Sequence, residues 1–298
     1  MKPYNFSSQI MRDLPTFQGS YHQELMKVLT QQVHDSQKFV LPEFGNLFEE
    51  SHKTDWSEVQ IRLPYDRMML EFMSVDEKCA YLVTSGKYVR EILATKSYEG
   101  QKFPRIYDEA HELLIVPFYR QPELEQRWLP NPALLYTSTH GEDNNGKNGK
   151  EVTFILLSEH YKFLQRTKTT EEFNKDVDTF GDWAVPGLHA VKQLCQVLQC
   201  TNITTEKNFI HPRINAKRRN LGKLPLFQYH MLVVQSSEPS NIGTGGTHQS
   251  PRFHWRRGHI RRLPTGKQTW VRPCMVGDLK QGIIAKDYAV HPRGLQTI

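Results

Sequence analysis

The chain reads as an α+β protein in two lobes: a mixed helix and antiparallel-sheet lobe over residues 1–205, and a basic, β-rich lobe over residues 206–298 carrying an arginine-rich hairpin. Three observations lead there. Two amphipathic helical stripes, near the start of the chain and at 182–199, flank a series of short apolar and aromatic runs, the pattern of helices packed on a sheet. Charge is divided rather than mixed. From His211 onward fifteen Lys/Arg stand against Glu238, Asp278 and Asp287, a balance of +12, while the first 210 residues hold the other 29 acids and are net negative. Finally, a Pro/Gly turn at 264–267 splits the most basic stretch into two strand-like halves.

Taken in order, Tyr21–His34 places Leu25, Met26, Leu29 and Val33 at helical spacing and predicts an amphipathic helix. Leu41–Phe48, with Pro42 and Gly45, is a loop that anchors aromatics. Val59–Leu63, Met68–Met73, Ala80–Thr84 and Leu113–Tyr119 are strand candidates, and a turn at Asp66–Arg67 makes the first two an antiparallel pair. Ala133–Thr137 pairs with Val152–Leu157 across a connector rich in Gly, Asn and charge, whose DNNG lacks the carboxylate spacing of a calcium loop. Asp182–Gln199 is the main buried helix. Pro186 suits its first turn, and Leu188, Val191, Leu194, Cys195 and Leu198 form its stripe. Ile210–Lys223 is a basic connector, Leu224–Gln235 a buried strand with Tyr229 and His230 as a core pair, Ser236–Ser250 a linker, and Ile283–Val290 a last short strand.

At 298 residues the chain can bury a substantial core, and it holds no apolar run of the roughly 18 residues that a membrane helix needs. Its first residues, MKPYNFSSQIMRDLP, lack the apolar core of a secretion signal, which predicts a cytoplasmic protein with no membrane partner. Cys79, Cys195, Cys200 and Cys274 show no CxxC spacing and predict free thiols. No tight His/Cys ligand pair occurs, so neither a metal nor a cofactor is expected.

The functional candidates concentrate in Pro251–Gly277. Arg252–Arg262 alone holds five arginines, two histidines, Trp255 and Phe253 within eleven residues. With Leu263 opposite Gln268, His259 faces Arg272, Arg261 faces Trp270 and Arg257 faces Cys274, giving one cationic face with an aromatic platform. Arg252, Arg256, Arg257, Arg261, Arg262 and Arg272 are the candidate phosphate ligands. Trp255 and Trp270 are candidates to stack on bases or brace the hairpin. His254 and His259 are the candidate catalytic pair of a metal-independent ribonuclease, one imidazole taking the 2′-hydroxyl proton and the other protonating the leaving oxygen. Alternation puts the two on opposite faces unless Gly258 forms a bulge, so binding without cleavage ranks above catalysis. A structural or accessory role, with the hairpin making protein contacts, is the remaining alternative.

GKLPLFQYHMLVV and the later GTHQSPRFHWRRGHIRRLPTGKQTWVRPCMVGDLKQGIIAKDY resemble the C-terminal signature of a widespread group of bacteriophage and mobile-element proteins. More distantly they are similar to the type V-A anti-CRISPR that silences its target nuclease by provoking loss of that nuclease's mRNA during translation. The matching positions are Pro251, Arg252, His254, Arg256, Arg257, Gly258, His259, Val271, Arg272 and Val276, and Cys200–Glu206 also resembles the group. The resemblance implies a regulator in the bacterial host cytosol. Its basic lobe would contact RNA or the ribosome, and its acidic lobe a host protein or nascent peptide.

Overall fold

A computed structural model describes residues 4–16, 22–47, 61, 63–75, 77–98, 112–121, 127–138, 152–157, 169, 171–172, 175, 179, 182–234, 252–256, 259–271, 274–276 and 278–283; at 121, 138, 152–153, 234, 252–256, 259, 274–276 and 278–283 it describes the backbone alone. The chain begins with α1 (Phe6–Asp13) and α2 (Gln23–Asp35) and then enters a sheet: β1 (Gln37–Val40), β2 (Arg67–Ser74), β3 (Glu77–Ser85), β4 (Glu112–Gln121), β5 (Arg127–Pro130), β6 (Ala133–Ser138) and β7 (Val152–Leu156). Between β3 and β4 lies α3 (Lys87–Leu93). After β7 come α4 (Val185–Leu198), β8 (Ile203–Lys207), α5 (Pro212–Asn220) and β9 (Tyr229–Val234). The sheet order is β7-β6-β4-β3-β2-β1-β9-β8, with β5 also on β4. β1 runs parallel to both β2 and β9, and the other pairs are antiparallel. The protein is α+β.

Strand alternation divides the core in two. Met69, Ala80, Leu82, Leu114 and Val116 meet Ile10, Leu25, Leu29, Val33, Val89 and Ile92 of α1, α2 and α3. Met68, Leu70, Phe72, Tyr81 and Val83 meet Leu188, Val191 and Leu194 of α4 on the opposite face. Coverage of both faces explains why β2, apart from Glu71, and the middle of β3 are apolar runs rather than alternating ones. α4 comes close because residue 187 is glycine: a Cβ there would lie 2.4 Å from Tyr81 Cδ1.

One buried carboxylate ties these layers together. Glu71, fully buried in β2, accepts hydrogen bonds from the backbone N–H of Phe6 (3.0 Å) and Ser7 (2.7 Å), from Ser7 Oγ (2.6 Å) and from Tyr229 Oη (2.6 Å). Two of those donors are N–H groups at the start of α1, which have no partner inside the helix, and the third element is β9. Burial pushes the Glu71 carboxyl pKa up, and the hydrogen bonds from Ser7, Tyr229 and Phe6 oppose that rise. Close by, the buried Lys38 of β1 donates to the carbonyls of Val33, His34 and Ser36, each at 2.7 Å, and so closes the C-terminal end of α2. Its ammonium lies 4.2 Å from the Phe227 ring centroid, and burial lowers its pKa to about 8. The 225–227 segment is also stitched to the N-terminus: Asn5 Nδ2 and Ser8 Oγ donate to the Pro225 carbonyl, and Phe227 N–H donates to Asn5 Oδ1.

Helix α2, strands β2, β3 and β4, the β6–β7 hairpin and helix α4 lie where the sequence places them. Ala133 pairs with Leu156 and Thr137 with Val152. The expected Val59–Leu63 strand is corrected: Ile61 and Leu63 belong to no strand, and 59, 60 and 62 lie outside the described residues. β2 pairs instead with β3, so the turn lies beyond Ser74 and not at Asp66–Arg67. Val75 there has φ 54°, a left-handed conformation costly for a β-branched residue. Ile210–Lys223 is no plain connector, since it contains α5, and of the expected 224–235 strand only Tyr229–Val234 is extended. The division expected at 205/206 falls inside β8, and the main sheet continues past it through β9. The 139–151 connector, the 236–250 linker and the expected strand beyond Ile283 lie outside the described residues. No helix among the described residues is long and apolar enough to cross a membrane.

Two predictions follow from the buried polar groups. Glu71→Ala strands two N–H groups and two hydroxyls, so it should cost about 3–5 kcal/mol, whereas Glu71→Gln keeps one acceptor oxygen and should cost less; urea midpoints check both. His230 stacks on Phe39 at 4.8 Å and places Nε2 3.1 Å from Gln37 Oε1, while its buried Nδ1 has no partner among the described residues. Burial, with Lys207 nearby, lowers its pKa from 6.5 to about 4. The unfolded chain therefore takes up this proton first, and stability present above pH 6.5 is lost as pH falls toward 4. Between pH 7 and 5 the loss should be on the order of 1–2 kcal/mol, and a His230→Phe chain should show a correspondingly flatter change in urea midpoint.

Candidate nucleic-acid interface

The basic C-terminal segment forms β10 (Arg252–Arg256), β11 (His259–Arg262), β12 (Gln268–Val271), β13 (Cys274–Val276) and β14 (Asp278–Ile283). β11 pairs antiparallel with β12, and β10 with β13. Both pairs keep a single register. Arg262 lies opposite Gln268 and His259 opposite Val271 in one, Arg256 opposite Cys274 and His254 opposite Val276 in the other, with no offset between the two. β14 adds in parallel along the other edge of β10, with Arg252 opposite Asp278.

The register is one residue off the expected one, and the turn is the reason. Leu263 N–H donates to the Lys267 carbonyl (2.8 Å), so the loop holds three residues, Pro264, Thr265 and Gly266, rather than four. Gly266 closes it at φ 77°, the left-handed position that three-residue hairpin loops reserve for glycine. His259 consequently faces Val271, Ile260 faces Trp270, and Arg261 faces Thr269.

This shift changes what Trp270 does. It shares a face with Ile260 rather than with Arg261, and the two pack on Val197, Cys200 and Ile203, at the junction of α4 and β8. Trp270 is thus a brace and not a stacking platform beside Arg261. The backbone is held at the same place. Asn202 donates from Nδ2 to the Trp270 carbonyl (2.8 Å) and accepts from Trp270 N–H at Oδ1 (2.7 Å), while Thr201 donates to the Gln268 carbonyl from both N–H (3.0 Å) and Oγ1 (3.2 Å). Sequence reasoning missed Asn202, although an Asn between a helix end and a strand is a residue suited to pairing with both backbone groups of a neighbour.

With the apolar side anchored, Arg261 and Arg262 are exposed and make no ion pair with the described residues; Lys267 at the turn is exposed as well. Arg252, His254, Trp255, Arg256 and His259 are placed by their backbone alone, and Arg257 and Arg272 lie outside the described residues, so the structure brings together only part of the expected set. His254 and His259 occupy register positions of opposite parity, with no offset between the two strand pairs. Among the described side chains, the thiols of Cys79, Cys195 and Cys200 are unbridged, and burial raises them to about 11, about 12 and about 11, away from nucleophilic thiolates.

The Asn202 clamp should be measurable. Asn202→Ala leaves both backbone groups of Trp270 without their partner, a cost of about 1–3 kcal/mol, and amide exchange should accelerate across 259–271 while the β2–β4 amides keep their protection. Comparison with known proteins falls on this same part of the chain. Residues 202–278 match the model of the anti-CRISPR type V subtype A2 family, described as AcrVA2-like. No curated protein and no solved structure matches the chain. The chain is thus distantly similar to a type V-A anti-CRISPR over a segment that opens at Asn202 and closes at the first residue of β14.

Proposed function

We propose that this protein is a phage or mobile-element regulator that associates with RNA, or with the translating ribosome, through its basic C-terminal segment and promotes loss or silencing of a host transcript. The observation that carries the reading is the pair Arg261 and Arg262, exposed to solvent and making no ion pair with the described residues, on a hairpin that Ile260, Trp270 and Asn202 clamp to the core. Arginines held this way can meet phosphates with little ordering cost. The similarity over 202–278 supports the same reading because it contains the whole hairpin. The net-negative N-terminal residues fit the other task, contact with a host protein or a nascent peptide, since they would repel RNA. Holding RNA is favoured over cutting it, because the opposite register parity of His254 and His259 does not suit a two-imidazole mechanism.

The test is binding of labelled single-stranded RNA at two salt concentrations with chelator present, followed by a gel for RNA integrity. The protein should bind intact RNA with strong salt dependence. Arg261→Gln with Arg262→Gln should weaken binding about 5–10-fold and flatten the log–log salt slope by about 1.4, two phosphate contacts at roughly 0.7 each. Absence of binding at low salt would remove the proposal. RNA cut by the wild type and spared by His259→Ala would replace it with a ribonuclease.

A further inference from the structure

The helix α5 has no buried residue, yet it is formed. What holds it is polar. His211 Nδ1 caps its start by accepting from Arg213 N–H (3.2 Å), Asn215 makes reciprocal bonds with both backbone groups of Leu226 (2.8 and 2.9 Å), and Arg218 Nε donates to the Leu224 carbonyl (2.6 Å). Those bonds fasten the Asn215 and Arg218 side to the chain and leave the other side in solvent. Arg213 and Lys217 are exposed there, Arg219, Lys223 just past the helix and Lys207 at the end of β8 are exposed as well, and no acid occurs anywhere from Lys207 to Ser237.

Helix stabilisation does not account for this arrangement. Cations at Lys217, Arg218 and Arg219 suit the negative end of a helix dipole, but Arg213 sits in the first turn, where positive charge is unfavourable. Arg213 and Lys217 are also a like-charged pair four residues apart, and neither makes an ion pair with a carboxylate among the described residues. Beside them Phe209 is 77 % exposed, held edge-on to His211, and Ile214 and Leu221 are exposed as well. An external polyanion would relieve the repulsion, and a flat, solvent-facing ring among cations suits an unpaired base better than a carboxylate-rich protein surface.

We propose that α5 with Phe209 is a second single-stranded RNA site, distinct from the arginine hairpin, in which Arg213, Lys217, Arg219 and Lys223 hold phosphates and Phe209 stacks a base. It rests on the RNA reading above and extends it. The hairpin is clamped at Asn202, just before β8, and α5 follows the other end of that strand, whose five residues span roughly 17 Å. One strand of RNA can engage both, and the local concentration of the second contact then raises overall affinity.

The experiment measures affinity and salt slope of the full chain for a labelled single-stranded RNA of about 20 nucleotides, with chelator. It compares wild type, Arg213→Gln/Lys217→Gln/Lys223→Gln, Phe209→Ala, and Arg261→Gln/Arg262→Gln. The changed α5 positions are exposed, so circular dichroism and Tm should match the wild type. The triple variant should lose about 10-fold or more in affinity and about 2 in salt slope; Phe209→Ala should lose about 5-fold or more with an unchanged slope. Wild-type affinity and slope in the triple variant, while the hairpin variant is impaired, would overturn the α5 site and leave the RNA reading standing. Failure of the wild type to bind would overturn both. Equal competition by polyglutamate, together with no effect of Phe209→Ala, would overturn the site as one for RNA in favour of an acidic protein surface.

Discussion

A carboxylate with no exposure to water is the constraint around which this fold is arranged. Glu71 can be tolerated in the middle of the sheet only while Phe6, Ser7 and Tyr229 all point donors at it. That requirement joins the first helix, a central strand and a strand more than 150 residues later at one point. Apolar packing supplies most of the stability on both faces of the sheet, but packing is tolerant of small shifts. Four directed hydrogen bonds on one side chain are not, and they fix how α1 and β9 sit on β2. Lys38 does the same for the end of α2, with all three of its protons used on carbonyls.

The hairpin obeys a second rule: Ile260 and Trp270 point inward, and its described cations are exposed. Ile260 and Trp270 continue the small core cluster begun by Val197, Cys200 and Ile203. The Asn202 amide then satisfies the backbone of Trp270, which would otherwise be an open edge. The match to the anti-CRISPR family begins at the same asparagine. The β11–β12 hairpin is therefore fastened to the main sheet beside β8.

Much of the fold was legible where burial imposes a period. The stripe of Leu25, Met26, Leu29 and Val33, the stripe of α4 and the apolar runs of β2, β3 and β4 each reveal an element because one or two faces are buried. Elements without that signature were hidden. β1 has four residues and one of them is a buried lysine; α5 buries nothing, so no periodicity betrays it. In the hairpin the sequence located the strands and the turn, but its register hung on whether the loop held three residues or four. That difference exchanges the partners of every side chain. Trp270 was expected on the face of Arg261, and the three-residue loop places it on the other face, packed with Ile260.

The two parallel pairings of β1 have a consequence for how the chain is made. β1 is complete soon after residue 40 has been synthesised, but its neighbour β9 is not available until residues 229–234 exist. Until then the nascent sheet carries an open central edge, and Glu71 lacks its tyrosine. A chain emerging at about 5–20 residues per second waits on the order of ten seconds or more in that unfinished state, a period in which unpaired strand edges are prone to association. The segment that resembles the anti-CRISPR family is therefore also the one whose emergence lets the rest of the protein close.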